Sequence, residues 1–352
     1  MKSFKKILSF ALVLLLMLSL CVSFSSAEDT KTIKLLSYNV AGLPSIQGII
    51  GMQDVNVPDN QYRLGKQLNS TGYDIIAVQE DFGYHCLLSS GLTSYPYKTV
   101  HSGGIPGGDG MNIFSKYPIY NAKRTAWEMA YGVITDGADE LTPKGILYSV
   151  IDLGGGMQVD LYDVHADAFD GEGSIAARND NFRQLAVLIA SKASTRPVIV
   201  TGDFNTSSHL GQGAEFTRIM IREAGFKDAW TELNNDGKYD NYGSYESSGT
   251  SYWGNWDSVE KVLYKDGGGI HVEVNDFEYK DFLNKGVSIS DHKAAAATLT
   301  FTKTDNVTPN TEKLRVTKPD LLGSLVNKVS VTVKDLQKIA LHFDDLLGLL
   351  KG

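Results

Sequence analysis

The stretch whose reading decides the fold is Pro197–Thr206, PVIVTGDFNT. Its apolar run, Val198–Val200, has the character of a buried strand that stops at Gly202. A carboxylate, Asp203, and a carboxamide, Asn205, follow at once. Polar side chains delivered from a rigid strand into a loop are the usual raw material of a site. Alternate residues of an extended segment point the same way, so Asp203 and Asn205 can address one substrate together. Taken alone, the motif is equally well a plain turn, and the rest of the chain has to decide.

Moving outward, other strands end in the same manner. Thr32–Val40 (TIKLLSYNV) alternates like a strand and carries Asn39 near its end. Asp74–Val78 is a second apolar strand, and Gln79, Glu80 and Asp81 follow it. Ile146–Leu153 and Gln158–Val164 form a hairpin pair across Gly154–Gly156, with His165 and then Asp167 after the second strand. Arg178–Ser191 has apolar residues at helical spacing and leads into the central strand. Downstream, Asp257 precedes a strand at Val259–Tyr264, and Ser290-Asp291-His292 introduces the strand Ala294–Phe301. A lone Glu is ordinarily solvated and a lone His ordinarily satisfied, but polar groups at five strand ends together imply a shared site. Strands and helices in alternation make the chain an α/β protein.

The connecting segments are less informative. Ala41–Asn60 is a loop long enough to line a site, Arg63–Ser70 a short helix and Glu215–Ala224 another. Gly103–Asp109 lacks the spacing and the Lys of a phosphate-cradling loop and has the character of a surface turn. NNDGKYD, at the start of the polar loop Asn234–Ser251, resembles part of a calcium loop without its later acidic ligands.

Composition sets outer bounds. Lys2, Lys5 and Lys6 precede an apolar run from Ile7 to Val22 and the small residues Ser25-Ser26-Ala27, the pattern of a secretory signal peptide at 1–27. The run falls short of the roughly 20 residues a membrane span needs. Removing it takes Lys+Arg from 33 to 30 against 41 Asp+Glu, so the formal charge moves from −8 to −11. That balance disfavours nonspecific attraction to polyanions. Cys86 is the one cysteine left, read here as a buried thiol, so no intramolecular disulfide can form. The expected organisation is a catalytic domain at 28–302, a polar linker at 303–313 and an amphipathic helical tail at 314–352. Leu336, Ile339, Phe343, Leu346, Leu347 and Leu350 mark one face of that tail.

The pieces LSYNVAGLP (36–44), IIAVQED (75–81), GMNIFSKYPI (110–119), LYDVHAD (161–167), VTGDFNT (200–206), WDSVEKVL (256–263) and SDHKA (290–294) occur in an order that resembles the endonuclease/exonuclease/phosphatase superfamily. Deoxyribonuclease I and the bacterial sphingomyelinases share its fold. The resemblance covers about residues 32–302. It implies a four-layer α/β sandwich of two mixed β-sheets flanked by helices, and hydrolysis of a phosphate ester with Mg2+ or Mn2+. By the same resemblance Glu80 is the main metal ligand, with Asn39 supporting and Asp291 approaching from the other side. His292 is the general base with Asp257 orienting it, Asp203 orients the attacking water, and Asn205 holds a phosphate oxygen. His165 stabilises the transition state or aids the leaving group.

Among phosphate esters, a phospholipid cleaved in the manner of a secreted sphingomyelinase is the first expectation. Pro143-Lys144-Gly145-Ile146-Leu147 resembles the Lys-Gly-hydrophobic piece of those enzymes, and the leucine-rich tail suits peripheral contact with a lipid surface. LYDVHADA departs from their usual sequence at the same place. A deoxyribonuclease I-like nuclease is the alternative, although Ala41–Asn60 and Asn234–Ser251 offer few basic residues. An inositol-phosphate phosphatase and a catalytically silent binding module are further alternatives; the first lacks a basic cluster, and the second is at odds with a full set of site residues.

Overall fold

The computed structural model describes residues 29–43, 57–104, 107–132, 139–140, 142–192, 194–206, 213–239, 258–304 and 312–316. The expected signal peptide, most of the expected linker and tail, the greater part of Asn234–Ser251 and Asp257 lie outside them.

Among the described residues, fourteen strands build two main sheets and one small pair. They are β1 (Thr30–Asn39), β2 (Ile75–Gln79), β3 (Tyr97–Lys98), β4 (Asn112–Ser115), β5 (Ile119–Ala126), β6 (Gly145–Gly154), β7 (Met157–His165) and β8 (Val198–Asp203). After these come β9 (Lys227–Asp228), β10 (Glu260–Lys265), β11 (Ile270–Lys280), β12 (Leu283–Asn284), β13 (Val287–Ser288) and β14 (Ala294–Lys303). The first sheet runs β11-β14-β1-β2-β4-β3 and the second β5-β6-β7-β8-β10-β9, with β12 pairing β13. In each main sheet one parallel pair, β1–β2 and β7–β8, lies among antiparallel neighbours. The mixed sheets of the expected sandwich are therefore present.

Alternation sorts the side chains into layers. Ile33 and Leu35 of β1, Ile75 and Ala77 of β2, Val159 and Leu161 of β7, Ile199 of β8 and Val262 of β10 share one core between the sheets. The intervening residues face outward. Leu36, Tyr38, Ile76 and Val78 pack with Leu64, Leu68 and Leu88 of the helices α1 (Val57–Ser70) and α2 (His85–Gly91). Tyr162, Val164, Val198 and Val200 pack with Phe182, Leu185 and Ile189 of α3 (Glu172–Ser191) on the other side. Helix, sheet, sheet, helix make the four layers. Gly202 is needed where β7 meets β8: its φ is 141°, and a Cβ there would lie 2.0 Å from the Val164 carbonyl oxygen.

Some local expectations shift. The first helix begins at Val57, not Arg63, because Val57, Asn60 and Gln61 already belong to its buried face. The helix expected at Glu215–Ala224 is one α-turn, Gly213–Phe216, that continues as a π-helix over Thr217–Glu223. Cys86 is exposed, not buried, because it lies on the outer side of α2, opposite the buried Leu88 and Gly91.

The first residues of the expected tail belong to the body. Val316 bridges Tyr120, Asn121 and Arg315 exchange backbone and side-chain hydrogen bonds, and Leu314 packs on the outer core. Glu312 accepts from the buried Arg196 at 2.6 Å, and the same guanidinium reaches Asp160 at 3.1 Å. A chain ending at Val316 is expected to keep its melting temperature. One ending at Thr304 loses the Glu312 partner and the Leu314 contact, together about 1–2 kcal/mol, and should melt roughly 2–8 °C lower by calorimetry.

Candidate active site

The inward-facing rows that are apolar in mid-sheet turn polar at one end. On β1 the row Ile33, Leu35 continues as Ser37 and Asn39, and on β2 Ile75, Ala77 continues as Gln79. On β7 the row Val159, Leu161 becomes Asp163 and His165; on β8 Ile199 gives way to Thr201 and Asp203; on β10 Tyr264 and Val262 lead back to Glu260. Register completes the gathering. His165 pairs Asp203 across the parallel ladder, Glu260 pairs Asp203 across the antiparallel one, and Asn39 pairs Gln79 in the opposing sheet.

Across the gap the side chains converge on the Asn39 carboxamide. Its Nδ2 donates to Glu80 Oε1 at 3.0 Å and to Asp203 Oδ2 at 3.1 Å, and lies 3.4 Å from His292 Nε2. Its Oδ1 accepts the Ala41 amide at 3.1 Å. Asp203 Oδ2 also lies 3.5 Å from His165 Nε2 and 3.8 Å from His292 Nδ1, while its Oδ1 accepts the Asn205 amide at 2.9 Å. Asn205 donates its side-chain Nδ2 to the Ala166 carbonyl at 3.0 Å.

Two of these residues sit in strained backbone. Glu80 has φ 58° and Asn205 φ 48°, the left-handed region that costs a non-glycine residue about 1–2 kcal/mol. Such strain persists where the surroundings over-determine it. At Glu80 the carbonyl oxygen takes the Gly42 amide at 3.1 Å and the Phe82 amide at 3.0 Å. A Cβ on Gly42 would stand 2.4 Å from that oxygen, so only glycine closes this turn.

Seven of the eight expected site residues fall within the described residues. Asn39, Glu80, Asp203 and His292 are joined directly; His165 and Asn205 flank Asp203. Asp291 is exposed beside His292, outside the hydrogen-bonded set, although its charge still acts on Glu80 and His292. Asp257 lies outside the described residues; among those described, the partner of His292 Nδ1 is the fully buried Glu260. The reason is parity: Glu260 shares the inward row of Val262 and Tyr264 and faces Asp203 in register. An acid at the first position of a strand antiparallel to the GDFN strand was the sequence signal for it.

Lys144 is a second residue given no role by the sequence reading. It is buried just before β6 and forms an ion pair with the buried Asp139, whose other oxygen accepts the Ala168 amide at 2.9 Å. Its positive charge acts on Glu80, Asp203 and His165 alike.

Electrostatics follow from burial and these neighbours. Burial pushes the Glu80 carboxyl above its ordinary range, against the Asn39 hydrogen bond and the charges of Lys144 and His292. Asp203 is raised by burial too, with His292 opposing. His165 is held well below the usual imidazole value by burial and then by Lys144 and His292, so it is neutral, and its buried Nδ1 has no protein partner. For His292 burial pulls downward, but Asp203 and Glu260 outweigh it and push the group up to about 10.

The donor set fits a hard divalent cation. Asp203, Glu260 and His292 offer ligand atoms within 4.8 Å of one another. Glu80 and Asp203 crowd onto a single amide nitrogen, an arrangement of carboxylate oxygens that such an ion would relieve.

A model of the Endonuclease/Exonuclease/phosphatase family matches residues 36–292, and the chain belongs to that family. Over 273 residues it is 31% identical to the sphingomyelinase of Mycobacterium bovis, covering 74% of this chain and 51% of that protein, so the chain spans about half the length of this relative. The fold is that of a Staphylococcus aureus beta toxin solved with bound magnesium ions: TM-score 0.51, 19% identity, 76% of this chain and 99% of that one. It is also that of D. rerio TDP2 complexed with a single-strand DNA product: TM-score 0.56, 16% identity, 76% of this chain and 99% of that one.

The shift at His292 sets a pH dependence of stability. An imidazole raised from 6.5 to about 10 on folding adds stability that is complete below pH 6.5 and lost as pH rises through 10. In EDTA, the wild-type melting temperature is therefore expected to fall between pH 6.5 and 10 by several degrees more than that of His292→Gln. Parallel curves for the two proteins would show that His292 carries no such charge.

Proposed function

We propose that the chain is an exported, metal-dependent phosphodiesterase whose substrate is a phospholipid. The observation that carries the chemistry is the single cluster of Asn39, Glu80, Asp203 and His292, with His292 Nδ1 held by Glu260. Magnesium or manganese held by Glu80, whose carboxylate Asn39 supports, would neutralise phosphate oxygens and stabilise the charge of the transition state.

The protein groups supply positioning and proton transfer. Glu260 fixes His292 Nδ1, so Nε2 is the nitrogen that faces the site and takes the proton of the attacking water. Asp203 and Glu260 favour the protonated ring, and a bound cation would oppose their charge and favour the neutral form that a base requires. Asp203 orients the water, and the strained turn at Asn205 leaves its second amide hydrogen to hold a phosphate oxygen. Neutral His165 donates from Nε2 without adding a charge. Asp291, at the exposed edge, remains a candidate ligand from the opposite side.

The lipid reading rests on the relative named sphingomyelinase and on the rim of the site. Four residues beyond His165, Phe169 stands 57% exposed at φ 65°. The buried Arg178 holds that loop, donating to the carbonyls of Asp167 at 3.0 Å and Phe169 at 2.6 Å. Tyr131, 42% exposed, is tied in through Asp167. Rigidly presented aromatic groups beside a phosphoesterase centre suit an interfacial substrate. A nuclease of the same fold is the second reading, favoured by the likeness to the DNA-bound neighbour.

Purified protein is expected to release the phosphorylated headgroup from sphingomyelin vesicles with Mg2+, to stop in EDTA, and to leave duplex DNA uncut. DNA cleavage alone would overturn the lipid assignment. Glu80→Ala and His292→Ala should each abolish hydrolysis with the fold retained by circular dichroism. Glu260→Gln should lower kcat on the order of 10²-fold or more, and Asp257→Ala by much less; the reverse order would remove Glu260 from its role.

A further inference from the structure

One inward step along β7 from His165, a buried pair joins the two sheets beneath the catalytic cluster. Gln79 of β2 and Asp163 of β7 are both fully buried. Gln79 Nε2 donates to Asp163 Oδ1 at 2.6 Å and to Ser37 Oγ at 3.3 Å. The remaining oxygens of the pair, Asp163 Oδ2 and Gln79 Oε1, are buried with no hydrogen-bond partner among the described residues. The neighbours of Asp163 across the ladders are Leu147 of β6 and Thr201 of β8, and the Thr201 hydroxyl donates to the Lys261 carbonyl at 2.9 Å. The charges that act on Asp163 are those of Asp109 and Arg124, which are paired with each other.

The pair is one hydrogen short. An ionised carboxylate can only accept, so it would leave both orphaned oxygens unsatisfied and bury its charge on a single hydrogen bond. Turning the Gln79 amide over brings oxygen against oxygen at 2.6 Å, a contact that a shared proton permits. In either placement a proton on Asp163 supplies the missing donor. A carboxylic acid then presents one donor and one acceptor to a carboxamide that presents the same.

We propose that Asp163 is a neutral carboxylic acid in the folded protein, and that its exchange of hydrogen bonds with Gln79 is a clasp between the sheets that positions Glu80 and His165. Burial pushes the group well above the carboxylate range and Asp109 adds to the rise, against the Gln79 hydrogen bond, Arg124 and the Val164 amide. Gln79 directly precedes Glu80 in its left-handed turn, and Asp163 stands two residues before His165 on the same inward row. Asp163 touches no reacting group and acts through these neighbours. The positioning role rests on the phosphodiesterase reading; the proton does not.

Denaturant unfolding of the full chain in EDTA, wild type against Asp163→Asn, tests the proton. Asparagine keeps the shape and a neutral donor. The folded wild type holds a proton that the unfolded chain, with an aspartate at its usual 3.8, has released. Above that value wild-type stability therefore falls as pH rises. Its unfolding equilibrium constant should gain about tenfold on that of Asp163→Asn for each pH unit between about 5 and 7. Parallel curves would overturn the proposal. If Asp163→Asn fails to fold, the side-chain carboxyl carbon resonance of Asp163 in the wild type decides: it should keep the protonated shift over that range, and a carboxylate shift overturns the neutral acid. For positioning, hydrolysis is followed on sphingomyelin vesicles, or on duplex DNA if that is what the wild type cleaves. Asp163→Ala should lower kcat about tenfold or more at little changed KM, and Asp163→Asn should recover most of it. An alanine variant with wild-type kcat would remove the clasp from catalysis. A wild type inert on both substrates would sink the phosphodiesterase reading and the positioning role with it, while the proton stands or falls on the unfolding curves.

Discussion

The structure depends on strand register at one end of the second sheet. His165, Asp203 and Glu260 are neighbours across two ladders, so a slip of one residue in either would turn a catalytic candidate to the outer, helix-covered face. The register is fixed by what lies further along the same rows. Leu161, Ile199 and Val262 must face the core between the sheets, and their parity carries the polar residues with them. Gly202 lets β8 approach β7 closely enough for the row to be continuous. Core packing and site geometry are one constraint seen at two ends of the same strands.

A second consequence of that geometry is the crowding of charge. Glu80 and Asp203 meet at Asn39, with Glu260 behind His292, in a region where water is largely excluded. Burial raises the pKa of such acids; His292 and Lys144 oppose it. Lys144 is itself anchored by Asp139, so its charge cannot swing away to solvent. Burial, and after it the same lysine and His292, keep His165 neutral. Two histidines beside Asp203 thus rest in opposite protonation states, because one has carboxylates on its Nδ1 side and the other is fully buried with cations nearby. Divergent environments for chemically equal groups are how one site separates an acid from a base.

Much of this was legible in the sequence, and the limits were physical. Alternation located β1, apolar runs located β2, β8 and β14, and the hairpin pattern located β7; the polar residues at their ends named Asn39, Glu80, His165, Asp203 and His292. What alternation could not supply was which acid faces His292. Glu260 takes that place through the antiparallel pairing of β10 with β8, which the sequence does not state. Lys144 was visible only as part of a motif, since its contact with Asp139 depends on how β6 enters the sheet. Cys86 was misplaced because a seven-residue helix carries too little periodicity to define its buried face.

The choice between lipid and nucleic acid turns on surfaces, not on the chemical centre. Any phosphodiester satisfies Asn39, Glu80, Asp203 and His292, so these residues carry no information about what flanks the phosphate. The flanking loops do. The segment after His165 is held through the buried Arg178, which donates to two of its carbonyl oxygens and lies 3.8 Å from the Asp170 carboxylate, and it sets an aromatic side chain outward at positive φ. A loop built only to cover α3 has no need of an exposed phenyl ring in strained backbone. A surface that must meet acyl chains or the headgroup layer gains apolar contact from it without reorganising. On the proposed function, rim and centre divide the work: the centre would fix the reaction, and the rim what can present a phosphate to it.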